Sequence, residues 1–439
     1  MEVKVAKFGG SSLADASQFV KVRDILLADP QRRYAIPSAP GKRHARDKKI
    51  TDMLYACHKA ARAGEPSDDL FDEVAARYIR IAQDLRLTLD LQGELDTIRR
   101  NLAAYEAPDY AASRGEYLSG ILLSAYLGWG FVDPAQGIFF DSRGWLDAER
   151  TQQALSALLR GHGHAVIPGF YGATPDGAVH TFSRGGSDIT GAIVARAAQA
   201  ALYENWTDVS GCLMADPRIV DNPLVINQIS YRELRELSYM GATVLHEDAL
   251  FPVRKAGIPT NIRNTNAPQV PGTLISYHPD PCADDRVITG IAGRKDFCVI
   301  AIEKTMMNAE LGFGRRVLQA LEELGISFEH LPTGIDTMCV VCNQQALAGK
   351  RARLVRRIYE LTEPDTVEIH SEMALIATVG RGMVRSPGTS ARLFSALSEA
   401  QVNVRMIDQG SSELNIIVGV DNADFERAVR AIYAAFVTP

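Results

Sequence analysis

Lys7 stands two residues before the turn Gly9-Gly10-Ser11-Ser12, which closes the opening strand Val3-Lys4-Val5-Ala6-Lys7-Phe8. Glycines let backbone N–H groups approach an anion without a Cβ in the way, and the lysine adds a point charge, so this is the chemistry of a phosphate cradle. Neither G-x-x-x-x-G-K-[ST] nor G-x-G-x-x-G occurs in the chain, and a plain tight turn is the competing reading. A second candidate is Ser183-Arg184-Gly185-Gly186-Ser187-Asp188, standing before an Ala-rich stretch that reads as a helix to about Leu202. The N–H groups and positive dipole of that terminus suit an anion, and Arg184 can grip a carboxylate or phosphate with two hydrogen bonds. Ser187 or Asp188 could instead be a plain cap, but a cap does not require the preceding Arg-Gly-Gly. A third candidate, Trp206-Thr207-Asp208-Val209-Ser210-Gly211 with Ala215-Asp216-Pro217-Arg218, follows a strand end, where ligands collect in open α/β sheets. Turn chemistry accounts for its glycine and proline equally well.

These residues need a scaffold. After the opening strand, Asp15 or Ser17 can cap a helix whose Phe19, Val20, Val22, Leu26 and Leu27 share one face. Strand patterns recur at 34–39, 165–170 and 201–209 with helical stretches between them, which predicts a sheet covered by helices over 1–280. Pro37 donates no ladder hydrogen bond, so the second strand is short or ends there. The Pro- and Asp-rich segment 277–285 reads as a linker. Beyond it, 287–303, 339–342, 374–379 and 414–420 read as strands, and 315–324 and 390–400 as helices. That is strand, helix, strand, twice over, and it points to a duplicated α/β unit.

The composition sets limits. At 439 residues the chain is too long for one core, and 46% apolar with 23% charged residues is that of an ordinary soluble enzyme. A net charge of −6 gives no pull toward nucleic acid or anionic lipid. The most apolar stretch, 121–132, is too short to span a bilayer, and no signal-peptide pattern follows Met1, so the expected location is the cytoplasm, with no membrane partner. Six scattered cysteines suit reduced thiols, and Cys339-Val-Val-Cys342 reads as part of a buried strand and not as a metal site. No metal-ligand set is expected.

Taken together, Lys7-Phe8-Gly9-Gly10-Ser11-Ser12, Arg184-Gly185-Gly186-Ser187-Asp188, Thr207-Asp208-Val209-Ser210-Gly211 and Ala215-Asp216-Pro217-Arg218 resemble the aspartokinases in order and spacing. The likeness continues from Ser386-Pro387-Gly388 to Val420, including Asp408-Gln409-Gly410-Ser411-Ser412-Glu413, which resembles the paired ACT domains of that family. The resemblance implies an α/β fold: a mainly parallel amino-acid-kinase sheet flanked by helices over 1–280, followed by two ferredoxin-like ACT domains of α+β type at 287–372 and 373–439. Residues 287–303 are open to either ACT sheet. It implies ATP-dependent phosphorylation of the β-carboxylate of L-aspartate, with Mg²⁺. Lys7 would touch the transferring phosphoryl group, Asp188 would orient it, and Gly9, Gly10 and Ser11 would meet the phosphates. Arg184 would bind the α-carboxylate and Glu116, in Ser113-Arg114-Gly115-Glu116, the ammonium group. Ser38, Thr51 and Ser187 would line the same pocket, and Thr207, Asp208, Asp216 and Arg218 would hold the nucleotide. An effector, lysine and/or threonine, would sit near Met307, Gly312, Phe313 and Asp336, in a homodimer or dimer of dimers joined through the ACT domains.

Some positions depart from the family pattern. A lysine common before Val-Leu-His is Thr243 here, Ser-Ala-Met-Gly is replaced by Ser38-Ala39-Pro40-Gly41, and the proline after His246 by Glu247. Lys42, Arg43, Arg46, Lys48 and Lys49 offer cations that could replace the lost phosphate contact, although most such runs are solvated faces. Two rivals stand beside the aspartokinase reading: a related acyl or amino-acid kinase, opposed by the paired C-terminal units, and a catalytically weak ACT-domain sensor, suggested by Thr243. Packing alone is the competing explanation for Met307 and Phe313.

Overall fold

In the computed structural model, which describes residues 2–105, 107–183, 185–242, 250–280 and 286–437, strand β1 (Lys4–Phe8) lies inside an eight-stranded sheet. It is buried along nearly its whole length, as expected of a parallel strand covered on both faces. The other strands in this part of the chain are β2 (Arg32–Pro37), β3 (Gly130–Phe131), β4 (Ala165–Val166), a separate hairpin of β5 (Tyr171–Ala173) and β6 (Val179–Thr181), β7 (Leu202–Thr207), β8 (Gln228–Ser230), β9 (Thr260–Asn264) and β10 (Thr273–Ser276). The large sheet runs β3-β4-β2-β1-β7-β9-β10-β8. It is parallel as far as β9, and only the β9–β10 pairing is antiparallel. β2 does end at Pro37.

The helices of this region are α1 (Ala16–Leu27), α2 (Ile50–Ala63), α3 (Asp68–Asp84), α4 (Leu91–Asn101), α5 (Asp109–Leu127), α6 (Ala148–Arg160), α7 (Gly186–Ala197), α8 (Tyr231–Tyr239) and α9 (Phe251–Ala256). Phe19 of α1, Leu54 of α2, Tyr78 of α3, Ile98 of α4 and Leu122 of α5 form one core with Phe8 and Trp206. Asp15 is the N-cap of α1, accepting from Gln18 N at 3.1 Å. Ile25 is buried in that helix while Leu27 is largely exposed, so the buried stripe is Phe19, Val22, Ile25 and Leu26. α7 stops at Ala197, short of the expected 202, because Leu202 already begins β7.

A buried charge cluster ties the middle of this sheet together. Arg32 of β2 donates to both carboxylate oxygens of Glu204 at 2.7 and 3.0 Å, and Trp206 Nε1 donates to Glu204 at 3.0 Å. Arg263 of β9 lies 3.6 Å from the same carboxylate and over the Trp206 ring. Because successive strand residues face opposite sides, Glu204 and Trp206 point away from Asn205. The residues around Lys7 thus belong to one face of the sheet and this ion cluster to the other.

The chain divides into two compact units: Met1–Cys212, Val225–Tyr231 and Val244–Asp284 form the first, and Leu213–Leu224, Arg232–Thr243 and Asp285–Pro439 the second. In the second, β11 (Gly290–Glu303), α10 (Phe313–Glu322), β12 (Thr337–Asn343), α11 (Arg351–Thr362), β13 (Thr366–Val379), α12 (Thr389–Glu399), β14 (Met406–Asp408), β15 (Asn415–Asp421) and α13 (Phe425–Val437) follow in order. α11, α13 and β14 complete a pattern of which the sequence had shown only part. The strands make one antiparallel sheet, β12-β11-β13-β15-β14. β11 pairs with β12 along its second half and with β13 along both halves, with irregularities between Arg294 and Val299. Residues 287–303 therefore serve both halves of this sheet. Ile300 and Ile302 meet Val317, Leu321, Leu354 and Ile358 in the core under α10 and α11. Cys342 of β12 is buried directly opposite Cys298 of β11, with the two Sγ atoms 3.5 Å apart as free thiols. Cys282 lies outside the described residues.

Candidate active site

β1 and β7 are parallel neighbours in a register that sets Lys7 beside Asn205. Asp188, in the first turn of α7, completes the group: Lys7 Nζ lies 2.5 Å from Asp188 Oδ1, and Asn205 Nδ2 donates to the same oxygen at 2.7 Å. Lys7 Nζ also reaches Asn205 Oδ1 at 3.4 Å. Lys7 is only 7% exposed, so its charge acts in a medium where a nearby anion is strongly felt. The cation is held by an anion and an amide rather than swinging on its four-carbon stem.

The glycines after β1 do two different things. Gly9 N–H donates to Trp206 O at 2.9 Å, continuing the sheet. This corrects the expectation that Gly9 offers its amide to a phosphate: the donor is already used, and the expectation passes to Gly10 and Ser11. Gly10 is glycine because another backbone lies against it. A Cβ there would sit 2.9 Å from Ala39 O and 3.1 Å from Gly41 N, and Gly41 N–H donates to Gly10 O at 2.7 Å. The Ser38-Ala39-Pro40-Gly41 segment thus braces the turn after Lys7. Ser38 N–H donates to Phe8 O at 3.1 Å, and Thr51 lies in the first turn of α2.

α7 begins with Gly185 as its N-cap residue in the left-handed region, at φ 57°, and no side chain caps it. Neither Ser187 nor Asp188 is the cap, which leaves Asp188 for Lys7. Ser187 is buried beside Gly169, whose N–H donates to Pro37 O. Arg184 and Thr243 lie outside the described residues.

Glu116 sits inside α5 at 6% exposure, and its Oε2 has no hydrogen-bond partner. Burial pushes its carboxyl up to about 7, against the opposing pull of the Ala39 N–H and of the Arg114 and Lys7 charges. An unpaired buried carboxylate is costly, and it becomes favourable when a cation arrives. Lys7, Ser38, Glu116, Ser187 and Asp188 thus gather where β1, β2 and β7 end, the usual place for a ligand in an α/β sheet.

Other expected residues are placed differently. Thr207 ends β7 and donates from Oγ1 to the exposed Asp208 at 3.1 Å. Asp216 and Arg218 belong to the second unit, where they bind each other, Arg218 Nη2 to Asp216 Oδ2 at 2.6 Å. Of the basic run, Arg43 chelates Asp47, which also receives Arg77 at 2.6 Å, and Lys48 pairs with Glu73 at 2.9 Å. The Arg43 hydrogen bonds hold the Asp47 carboxyl well below the usual range. Arg43 and Lys48 are thus paired, and Lys42, Arg46 and Lys49 are exposed. In the second unit, Met307 and Phe313 are core residues at 5% and 4% exposure. Gly312 is the left-handed N-cap of α10, and the exposed Asp336 accepts from Met306 N at 2.8 Å. The Met307 and Phe313 side chains are spent on packing.

Asn205 escaped the sequence reading. The signal was there: Glu204 and Asn205 stand side by side in a strand otherwise built like a buried one, and a central strand does not carry two such residues without partners.

Residues 2–264 match the amino acid kinase family, and residues 376–436 match an ACT domain. Aspartokinase 3 of Bacillus subtilis is 41% identical, over 99% of this chain and 98% of that protein. The chain belongs to the aspartokinase family. The crystal structure of aspartate kinase from Clostridium acetobutylicum, described as an allosteric enzyme, is 51% identical with a TM-score of 0.89, covering 99% of this chain and 100% of that one. Escherichia coli aspartokinase III in complex with lysine and aspartate is 25% identical with a TM-score of 0.72, each chain covered in full. With the family in hand, the rival acyl-kinase reading falls away.

Proposed function

We propose that this enzyme transfers the γ-phosphoryl group of ATP to the β-carboxylate of L-aspartate, giving 4-phospho-L-aspartate, as the first step toward lysine, threonine and methionine. The observation that carries the substrate assignment is Glu116: a buried carboxylate with one oxygen unpartnered, beside the pinned Lys7, asks for a small cationic group on a molecule that also brings a carboxylate. The ammonium of aspartate supplies the cation. Ser38, Thr51 and Ser187 line the rest of the pocket, and Arg184 is assigned the α-carboxylate on the family resemblance. Gly10 and Ser11 amides face the phosphates, while Thr207 and Asp208 hold the nucleotide; Asp216 and Arg218, assigned to the nucleotide on the family resemblance, belong to the other unit. Mg²⁺ enters as part of the nucleotide substrate, shielding phosphate charge.

No general base is needed. The substrate β-carboxylate, with a pKa near ~4, is ionised at neutral pH. The task is to bring two anions into line and to neutralise charge in a loose transition state. Lys7 does this from a fixed position, because Asp188 and Asn205 hold its ammonium. Residues 1–280 carry the catalysis, and 287–372 with 373–439 form the ACT pair, which takes lysine and/or threonine near Met307, Gly312, Phe313 and Asp336 and joins protomers into dimers. The protein works in the cytoplasm, without nucleic-acid or membrane partners.

The test incubates the protein with Mg²⁺·ATP, hydroxylamine and, in parallel, L-aspartate, L-glutamate or acetylglutamate. Aspartyl hydroxamate alone is expected, and it should vanish in Lys7→Ala. Equal hydroxamate from glutamate, or an unimpaired Lys7→Ala, overturns the reading.

A further inference from the structure

The hairpin of β5 and β6 is a two-stranded sheet of its own, and its base joins the helix that carries Glu116 to the helix that carries Asp188. That base is the pair Tyr171 and Thr181, directly opposite each other. α5 grips both. Asp109 Oδ1, in the first turn of that helix, accepts from Thr181 N–H at 2.7 Å and from Thr181 Oγ1 at 2.8 Å, and His180 Nδ1 stands 3.3 Å from the same oxygen. Further along α5, the buried Arg114 guanidinium lies over the Tyr171 ring, 5.2 Å from its centre, and over the rings of Tyr110 and Tyr117.

The same base is fastened to α7. Phe170, the residue before Tyr171, donates its N–H to Thr190 Oγ1 at 3.0 Å and accepts from Phe182 N–H at 3.0 Å. A Cβ on Gly186, which opens α7, would run into the Phe170 ring. Phe170 itself is held in the left-handed region at φ 84°, a costly conformation for an aromatic residue that persists only where its surroundings dictate it. Asp109 and Glu116 are two helical turns apart and share a face of α5, roughly 10 Å from each other along its axis. Tyr55 of α2 senses both: burial pushes its hydroxyl up, and the charges of Asp109 and Glu116 push it further.

The proposed substrate is held at two ends, its ammonium on Glu116 and its β-carboxylate against the phosphoryl group beside Lys7 and Asp188. The distance between α5 and α7 therefore sets the length of amino acid that reaches both. From this we infer that Asp109 and Thr181 are positioning residues that select a four-carbon amino dicarboxylate over its five-carbon homologue. They lock the hairpin base to α5 and so fix Glu116 relative to α7. The inference rests on the ammonium-binding role proposed above for Glu116.

The full-length enzyme is assayed with L-aspartate as substrate and L-glutamate as competitor, in the parent and in Thr181→Val, Asp109→Ala and Asp109→Asn. Thr181→Val removes the Oγ1 donor at nearly constant volume, while asparagine keeps an acceptor oxygen for both Thr181 donors. One methylene is worth roughly 10- to 200-fold in discrimination, and a hydrogen bond to a charged group about tenfold or more. The ratio of glutamate Ki to aspartate KM should fall about tenfold in Asp109→Ala and about threefold in Thr181→Val, and stay near the parent value in Asp109→Asn. KM for ATP should not change. Thr181→Val decides alone if Asp109→Ala does not fold. Glu116→Gln is measured alongside. If it raises KM for aspartate while the Asp109 and Thr181 variants keep the parent ratio, the inference fails and the substrate reading stands. A lower thermal midpoint or kcat at an unchanged ratio has the same meaning: the contact is structural only. If Glu116→Gln leaves KM for aspartate unchanged, the substrate reading fails and takes the inference with it.

Discussion

Replacing Glu116 by glutamine should stabilise the ligand-free protein at pH 8 and disable it at once. The carboxyl is fully enclosed, and burial moves it from an ordinary 4.5 to about 7. In the unfolded chain it ionises near 4.5. Between 4.5 and about 7 the folded state therefore holds a proton that the unfolded chain has released, so folding stability falls as pH rises through that interval and is flat above it. At about 1.36 kcal/mol per pH unit the loss over that interval, from 4.5 to about 7, is on the order of 3 kcal/mol. Glu116→Gln keeps the shape and removes the titration. Relative to the parent it should gain up to about 3 kcal/mol at pH 8 and nothing at pH 4.5, or roughly 5–10 °C in melting temperature for a unit of this size.

The assay is thermal or urea unfolding of both proteins at pH 5 and pH 8, with and without L-aspartate. Aspartate should stabilise the parent far more than the variant, because its ammonium is the missing partner of Glu116. A charge-assisted hydrogen bond is worth about 1.5–3 kcal/mol, so KM for aspartate should rise about 10- to 100-fold in the variant. In the parent, aspartate affinity should increase with pH and level off above about 7. At pH 7 binding should release about half a proton, read as a dependence of calorimetric enthalpy on the buffer. If Glu116→Gln shows the same stability difference from the parent at pH 5 and pH 8, the carboxyl is not held out of water with a missing partner, and the reasoning collapses.

Three further outcomes follow from the geometry. Asn205→Ala deletes the second clamp on Lys7 and Asp188, and kcat should fall up to about tenfold with KM for both substrates nearly unchanged. Asn205→Asp should be worse in the same hydroxamate assay, since a second carboxylate would draw Lys7 off the phosphate; a more active Asp variant would reverse the assigned role. Glu204→Gln leaves Arg32 and Arg263 buried without a counter-charge, and urea unfolding should show a loss of about 3–5 kcal/mol. Gly41→Ala puts a Cβ 2.6 Å from Gly10 C and 2.8 Å from Ser11 N, both backbone atoms. Its kcat/KM for ATP should drop sharply, and an unimpaired enzyme would show that the brace on the Gly10 turn is dispensable.

Legibility in the sequence followed the range of the forces involved. Lys7, Gly10, Ser187 and Asp188 could be read because local backbone demands, a tight turn and a helix start, impose residue types that survive in a one-dimensional string. A strand over 201–209 was legible as well, and the structure has it at 202–207. Asn205 was not, because what makes it meaningful is a register with β1 almost two hundred residues away. Gly9 shows the opposite failure. Its type is dictated by the turn, so the sequence flagged it correctly, but its donor is consumed by a carbonyl on β7 that the sequence does not locate. The same holds for β11, whose string says strand and nothing about partners. A bulge between Arg294 and Val299 lets it ladder along both halves of one sheet, and its first residues hold Met214 while its last lead to Asp336.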